Sequence, residues 1–260
     1  MRFTAQSACL HVPPSLPQDA YFDGNDRSGA QADAAKGQRI VNQNVPTALL
    51  FEYRFRIPVC PDPSRKKNGR LLKLPATAQL PALATLDGRQ AFAALSAGWN
   101  SNGFGINVGV RGRTRPPTGD SGRLGDSDCV ELWIDTRPVG TVHRATGYCH
   151  RLACLPSDQS AGGAPSAVSQ AIPQQREIRA DMQTRHIQLR VHLCTDGYDM
   201  EVWIPESQLY GYHQIDDLRQ LGFYCVVKDT ELGDQPLTIT DEFPFAWDPS
   251  LWVNLELTDK

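Results

Sequence analysis

Long apolar runs are missing from this 260-residue chain: no stretch comes near the roughly 18 consecutive apolar residues that a membrane-crossing helix needs. An excess of either charge is missing too. The 26 Lys and Arg against 29 Asp and Glu leave a formal net charge of −3, so neither a nucleic-acid backbone nor a membrane is expected as a partner. The N-terminal MRFTAQSACLHVPPSLPQ has no apolar block of signal-peptide length and is interrupted by Pro13, Pro14 and Pro17; the expectation is an unexported, cytoplasmic chain. There is no P-loop, dinucleotide fingerprint, G-x-S-x-G or H-E-x-x-H, which removes the sequence-level grounds for those chemistries. No internal repeat suggests a propeller. The seven cysteines (Cys9, Cys60, Cys129, Cys149, Cys154, Cys194, Cys225) are odd in number, lack paired spacing and fall largely within apolar stretches. Reduced, buried thiols are expected.

Turn formers are plentiful, with 21 Gly and 19 Pro, and a 40% hydrophobic content is enough to fill a sizeable core. Residues 1–46 mix small, polar and turn-forming types and read as an irregular lead-in, with a possible strand near Arg39–Asn42. From residue 47 to 260 the pattern is that of one β domain. In LLFEYRFRIP, Leu49, Phe51, Tyr53, Phe55 and Ile57 alternate with Leu50, Glu52, Arg54 and Arg56, the period of a half-buried strand. GFGINVGVRG, CVELWIDT, HRLACLP, RHIQLRVHLC, YDMEVWIP, LGFYCVVKD, PLTIT and LWVNLELT fit further strands. Asp196-Gly197 marks a tight hairpin between two of them. CPDPSRKKNGR reads as a basic loop, 157–173 as a flexible excursion, and only PESQLYG and QIDDLRQ as helical turns. This predicts an all-β fold: a two-sheet antiparallel β-sandwich, jelly-roll or immunoglobulin-like, with very little helix.

Two strands carry an unusual second face. Val130, Leu132 and Ile134 share one side of their strand, and Glu131, Trp133 and Asp135 the other. Met200, Val202 and Ile204 likewise oppose Asp199, Glu201 and Trp203. The aliphatic faces belong in the core, at roughly 1.5–3 kcal/mol per buried side chain. Both Glu-x-Trp pairs then lie off the core. Either the lead-in or a long loop covers the indoles, or they form a ligand platform on which a sugar ring stacks while carboxylates bind its hydroxyls. Trp99, read as starting a strand after a loop, and Trp247, in FAWDPSLW, are candidates for the rim of such a site.

The run Asp128-Cys129-Val130-Glu131-Leu132-Trp133-Ile134-Asp135 resembles the central strand of family 9 carbohydrate-binding modules and the wider DOMON-like superfamily. The downstream order DGYDMEVWIP, LGFYCVVKD, DPSLWVNLEL is similar as well, so the likeness spans about residues 47–258. The resemblance implies a β-sandwich that binds a glycan or another small polar ligand without catalysis. Such modules clamp a sugar between two loop tryptophans, to which Trp99 and Trp247 are the nearest positions. Some DOMON-like relatives hold haem through Met or His; with three Met in the chain, His143 or His150 is the axial candidate.

Other chemistries stay open at this level. His143, Cys149, His150 and Cys154 have metal-binding side chains without a standard zinc spacing, and a structural role is the alternative. If Glu131 and Glu201 lie on neighbouring strands, they would stand about 5–10 Å apart in an open groove as in a glycosidase-like hydrolase; otherwise each is an exposed strand glutamate that solvates its sheet face. Asp120, Asp126 and Asp128 offer a calcium site that does not have EF-hand spacing. Arg111, Arg113, Arg115 and Arg123 form either an anion-binding patch or a solvated loop. A protein partner docking on the Trp-bearing face is the remaining reading.

Overall fold

The computed structural model describes residues 50–66, 69–177 and 182–259; the lead-in, with the strand expected at Arg39–Asn42, lies outside them. Eleven strands run through the described residues: β1 (Arg54–Pro58), β2 (Ala93–Asn100), β3 (Gly103–Arg111), β4 (Cys129–Asp135), β5 (Cys149–Leu155), β6 (Ser166–Gln170), β7 (Gln188–Cys194), β8 (Gly197–Pro205), β9 (Gln220–Asp229), β10 (Gly233–Pro236) and β11 (Val253–Thr258). They form two sheets. The larger has the order β1-β11-β9-β4-β5-β6, with β10 also paired to β9; the smaller has the order β2-β3-β8-β7. Every pairing is antiparallel except that of β1 with β11. One short helix, α1 (Ile215–Leu218), and scattered 3-10 turns complete the described residues. The chain is an all-β, two-sheet sandwich with very little helix.

The predicted faces of the central strands are those observed. Val130, Leu132 and Ile134 from β4 and Met200, Val202 and Ile204 from β8 are buried between the sheets. Phe104 of β3 meets Phe223 of β9 edge-on at 5.8 Å across the same interior. The β7–β8 hairpin turns through Thr195 and Asp196, with Cys194 opposite Gly197. Gly197 is required there for a close approach: a Cβ would stand 1.9 Å from the Val110 carbonyl oxygen.

Some local expectations fail. Strand β1 starts only at Arg54, and Leu50 and Phe51 are 64% and 62% exposed, because the parallel partner β11 extends no further in that direction. PLTIT is not a strand; pairing with β9 selects Gly233–Pro236 instead. The segment expected as a flexible excursion contains a 3-10 turn (Gln159–Ala161) and the strand β6, paired to β5. Trp99 ends β2 rather than beginning a strand after a loop.

The first Asp of the family-like motif anchors the loop after β3. Arg113 is buried and donates to Asp128 Oδ2 (3.0 Å) and to Asp229. Asp128 also accepts from Thr118 N (2.7 Å), Thr230 N (2.7 Å) and Thr230 Oγ1 (2.8 Å). Burial pushes the Asp128 carboxyl up, yet these donors outweigh it and hold it below the usual carboxylate range. Arg111 pairs with Asp199, Arg123 with Asp120, and Arg115 approaches Glu231. Only Arg113 is buried; Arg115 and Arg123 stay largely exposed, as in a solvated loop, beside their carboxylates.

Candidate functional site

The outer face of the smaller sheet is covered around Trp203. Trp203 is 2% exposed and packs with Cys60, Leu71 and Leu72 from the segment that crosses this face. Glu201 holds that segment down, accepting from Leu71 N (2.8 Å) and Leu72 N (3.2 Å), with His192 Nε2 at 3.3 Å. Trp99, expected at a rim, is also 2% exposed: its indole N–H donates to the Thr258 carbonyl (3.2 Å), and the Arg219 guanidinium lies 4.9 Å above the ring. Trp247 is half-buried on the segment after β10. No two-tryptophan clamp is formed by Trp99 and Trp247, and no platform by Trp203.

Glu131 and Glu201 sit on different sheets, β4 in the larger and β8 in the smaller. This overturns the hydrolase reading built on those two carboxylates. The His143–Cys154 candidates do not converge either. His143 is exposed and faces Asp248 (3.3 Å) and Ser250 (3.0 Å), whereas burial pushes the Cys149 thiol up to about 12. The carboxylates of Asp120 and Asp128 are engaged by neighbouring backbone and side-chain donors. Among the described residues no three His, Cys, Asp or Glu side chains come together to hold a metal ion.

The outer face of the larger sheet is different. Strand register sets Arg151 of β5 opposite Trp133 of β4, Glu131 opposite Ala153 and Val226, and Lys228 of β9 opposite both Cys129 and Asp234. The pleat then points Glu131, Trp133, Arg151, Lys228 and Asp234 to one side. Arg151 Nη2 donates to Glu131 Oε2 and Lys228 Nζ to Glu131 Oε1, both at 2.7 Å. Burial pushes the Glu131 carboxyl up, but the two cations outweigh it and keep it below its ordinary range. Burial lifts the Asp234 carboxyl above its ordinary value, with Lys228 opposing.

Trp133 forms the wall beside this ion triad. It is 1% exposed, with the Arg151 guanidinium 4.9 Å from its ring centre. Tyr224 and Phe245 meet it edge-on at 5.8 and 5.4 Å. The segment after β10 closes over the indole. Trp133 Nε1 donates to the Ala246 carbonyl (3.2 Å), and the Tyr224 hydroxyl donates to the Ile239 carbonyl. Between that segment and the sheet lies a cavity of about 280 Å³, lined by Arg89, Glu131, Trp133, Arg151, Lys228 and Asp234 among others. Two buried polar atoms of its lining, Arg151 Nε and Thr240 Oγ1, have no hydrogen-bond partner. Such atoms are costly in a folded protein unless something pairs with them.

No family model matches the chain, and no curated protein matches its sequence. Among solved structures, a family 9 carbohydrate-binding module from Caldicellulosiruptor kristjanssonii in complex with glucose is similar, with a TM-score of 0.51 at 13% identity over 80% of this chain and 97% of that one. The chain has the fold of a family 9 carbohydrate-binding module. A second structure from the same organism, in complex with cellotriose, gives a TM-score of 0.49 at 12% identity over 80% and 95% of the two chains. On this module-like sandwich, two of the seven expected site residues, Glu131 and Trp133, line the cavity. Asp135, at the far end of β4, is buried and accepts from Arg137 N (2.9 Å) outside it, as Trp99, Trp203, Trp247 and Glu201 also lie outside it. Sequence reasoning missed Arg89, Arg151, Lys228, Asp234 and Thr240. A signal existed for two of them: Arg151 in HRLACLP and Lys228 in FYCVVKD are the lone Arg or Lys of mainly apolar strands.

Proposed function

We propose that the protein is a non-catalytic carbohydrate-binding module whose ligand is an uncharged sugar seated over Glu131. The observation that carries this reading is the Arg151–Glu131–Lys228 triad in the lining of the cavity. A sugar hydroxyl donates and accepts at once. A carboxylate flanked by two cations offers an acceptor and donors within one hydroxyl's reach, and neighbouring hydroxyls of a ring would engage the same set. Three cations (Arg89, Arg151, Lys228) and three carboxylates (Glu131, Asp234, Asp241) line the cavity, so its formal charge is zero and a neutral ligand suits it. Its volume of about 280 Å³ lies just below the range of about 300 to 1,000 Å³ usual for ligand cavities. That favours one or two sugar rings over a long chain laid across a flat face. The glucose held by the similar Caldicellulosiruptor module supports the same ligand class.

Isothermal titration calorimetry and intrinsic fluorescence with glucose, galactose, mannose, xylose and cellobiose test the proposal. The expected result is saturable binding of at least one sugar, with a change in emission from Trp133 in the cavity wall. Absence of heat and of any emission change with all five at tens of millimolar overturns it.

A further inference from the structure

The charged cavity has an apolar neighbour. A second cleft, of about 300 Å³, opens where the start of β2 approaches β10, beside the segment 79–83, whose Leu80 N donates to the Leu95 carbonyl (2.9 Å). Leu80, Leu83, Phe92, Leu95 and Leu237 give it an apolar lining. Its polar groups are already engaged. Gln235 Oε1 accepts from Phe92 N (2.7 Å) and Ala93 N (2.8 Å), and its amide donates to the Ala93 carbonyl (2.8 Å). Arg111 is paired with Asp199 at 2.7 Å. The cleft is therefore mainly apolar, with the exposed Gln79 at its rim, and suits hydrocarbon better than a hydroxyl.

The two spaces share walls. Pro236 lines both, and the chain passes from Arg89 in the charged cavity to Phe92 in the apolar cleft within three residues. Pro236 is buried between the two spaces and has no N–H, so the edge of β10 presents no donor there. We infer that the ligand is a glycoside with an apolar substituent: the sugar lies over Glu131, and the substituent crosses Pro236 into the cleft beyond. This rests on the carbohydrate reading of the first cavity.

Calorimetry of the whole protein with methyl and n-butyl glucopyranosides, both anomers, tests the inference. Each methylene withdrawn from water is worth about four-fold in affinity. One anomer of the butyl glycoside should therefore bind at least about ten-fold more tightly than its methyl counterpart. Ala82 and Ala94 are exposed on two sides of the cleft, and the variants A82L and A94L fill it without disturbing buried contacts. At least one of them should remove the butyl advantage while leaving methyl glucoside affinity unchanged. Equal binding of methyl and butyl forms, or an advantage that survives in both variants, overturns the inference and leaves the carbohydrate reading standing. If neither kind of glucoside binds, yet the sugar panel gave a ligand, the comparison is made with that sugar's methyl and butyl glycosides under the same criteria. If no sugar binds at all, the carbohydrate reading fails and this inference fails with it.

Discussion

Replacing Arg113 with Met puts a buried ionic network of the fold to the test. Arg113 is buried, and its guanidinium faces Asp128 and Asp229, both of whose side chains are fully inaccessible. It also donates to the carbonyls of Arg115 (3.1 Å) and Pro116 (3.3 Å). Met recovers most of the packing volume but leaves two buried carboxylates facing each other without a cation. Removing one partner of a buried ion pair costs about 3–5 kcal/mol, a large part of the 5–15 kcal/mol by which domains are usually stable. With a urea slope of about 2–3 kcal/mol/M, the unfolding midpoint should fall by roughly 1–2 M. The pH dependence provides a second check. In the wild type the Asp128 carboxyl is depressed, so its contribution is fully present above the unfolded value of about 3.9 and is lost as pH falls through the lower folded value. In R113M that carboxylate loses its cation, and protonating it relieves the repulsion. The stability gap between wild type and R113M should be widest near pH 7 and should narrow on acidification toward the ordinary carboxylate range. Urea titrations followed by tryptophan fluorescence at several pH values measure both effects. A midpoint shift below about 0.4 M at pH 7, with an unchanged slope, would refute the reasoning.

Substituting Glu131→Gln keeps the shape of the side chain but leaves Arg151 and Lys228 without the anion between them. Sugar affinity should drop at least about ten-fold by calorimetry, and stability by about 1–3 kcal/mol, as for lost charged hydrogen bonds. Wild-type affinity in E131Q would place the ligand elsewhere. Gly197→Ala forces a methyl to within 1.9 Å of the Val110 carbonyl unless the backbone shifts at the β3–β8 pairing. A loss of about 1–3 kcal/mol is expected, read as a lower Tm, and an unchanged melting curve would contradict the close approach.

The sequence by itself determined the strands whose period-two pattern is local. Val130, Leu132 and Ile134 had to share a face because alternate residues of any strand do, and their aliphatic character sent that face into the core. The same rule placed Glu131 and Trp133 on the opposite side, and Asp196-Gly197 marked the β7–β8 turn within a few residues. What covers a face is a different matter. Trp203 is closed off by a segment some 130 residues earlier in the chain, and Trp133 by one more than 100 residues later. Strand β1 is selected by a parallel partner about 200 residues away, which is why its exposed start at Leu50 and Phe51 did not follow from its alternation. The candidate site depends on the same long-range pairing. Arg151, Glu131 and Lys228 meet only because β5, β4 and β9 lie side by side in that order and register. A carboxylate on one strand cannot announce which cations the neighbouring strands will bring to it. Tertiary structure alone decided that Glu131 would acquire two and Glu201 would be spent on holding a loop.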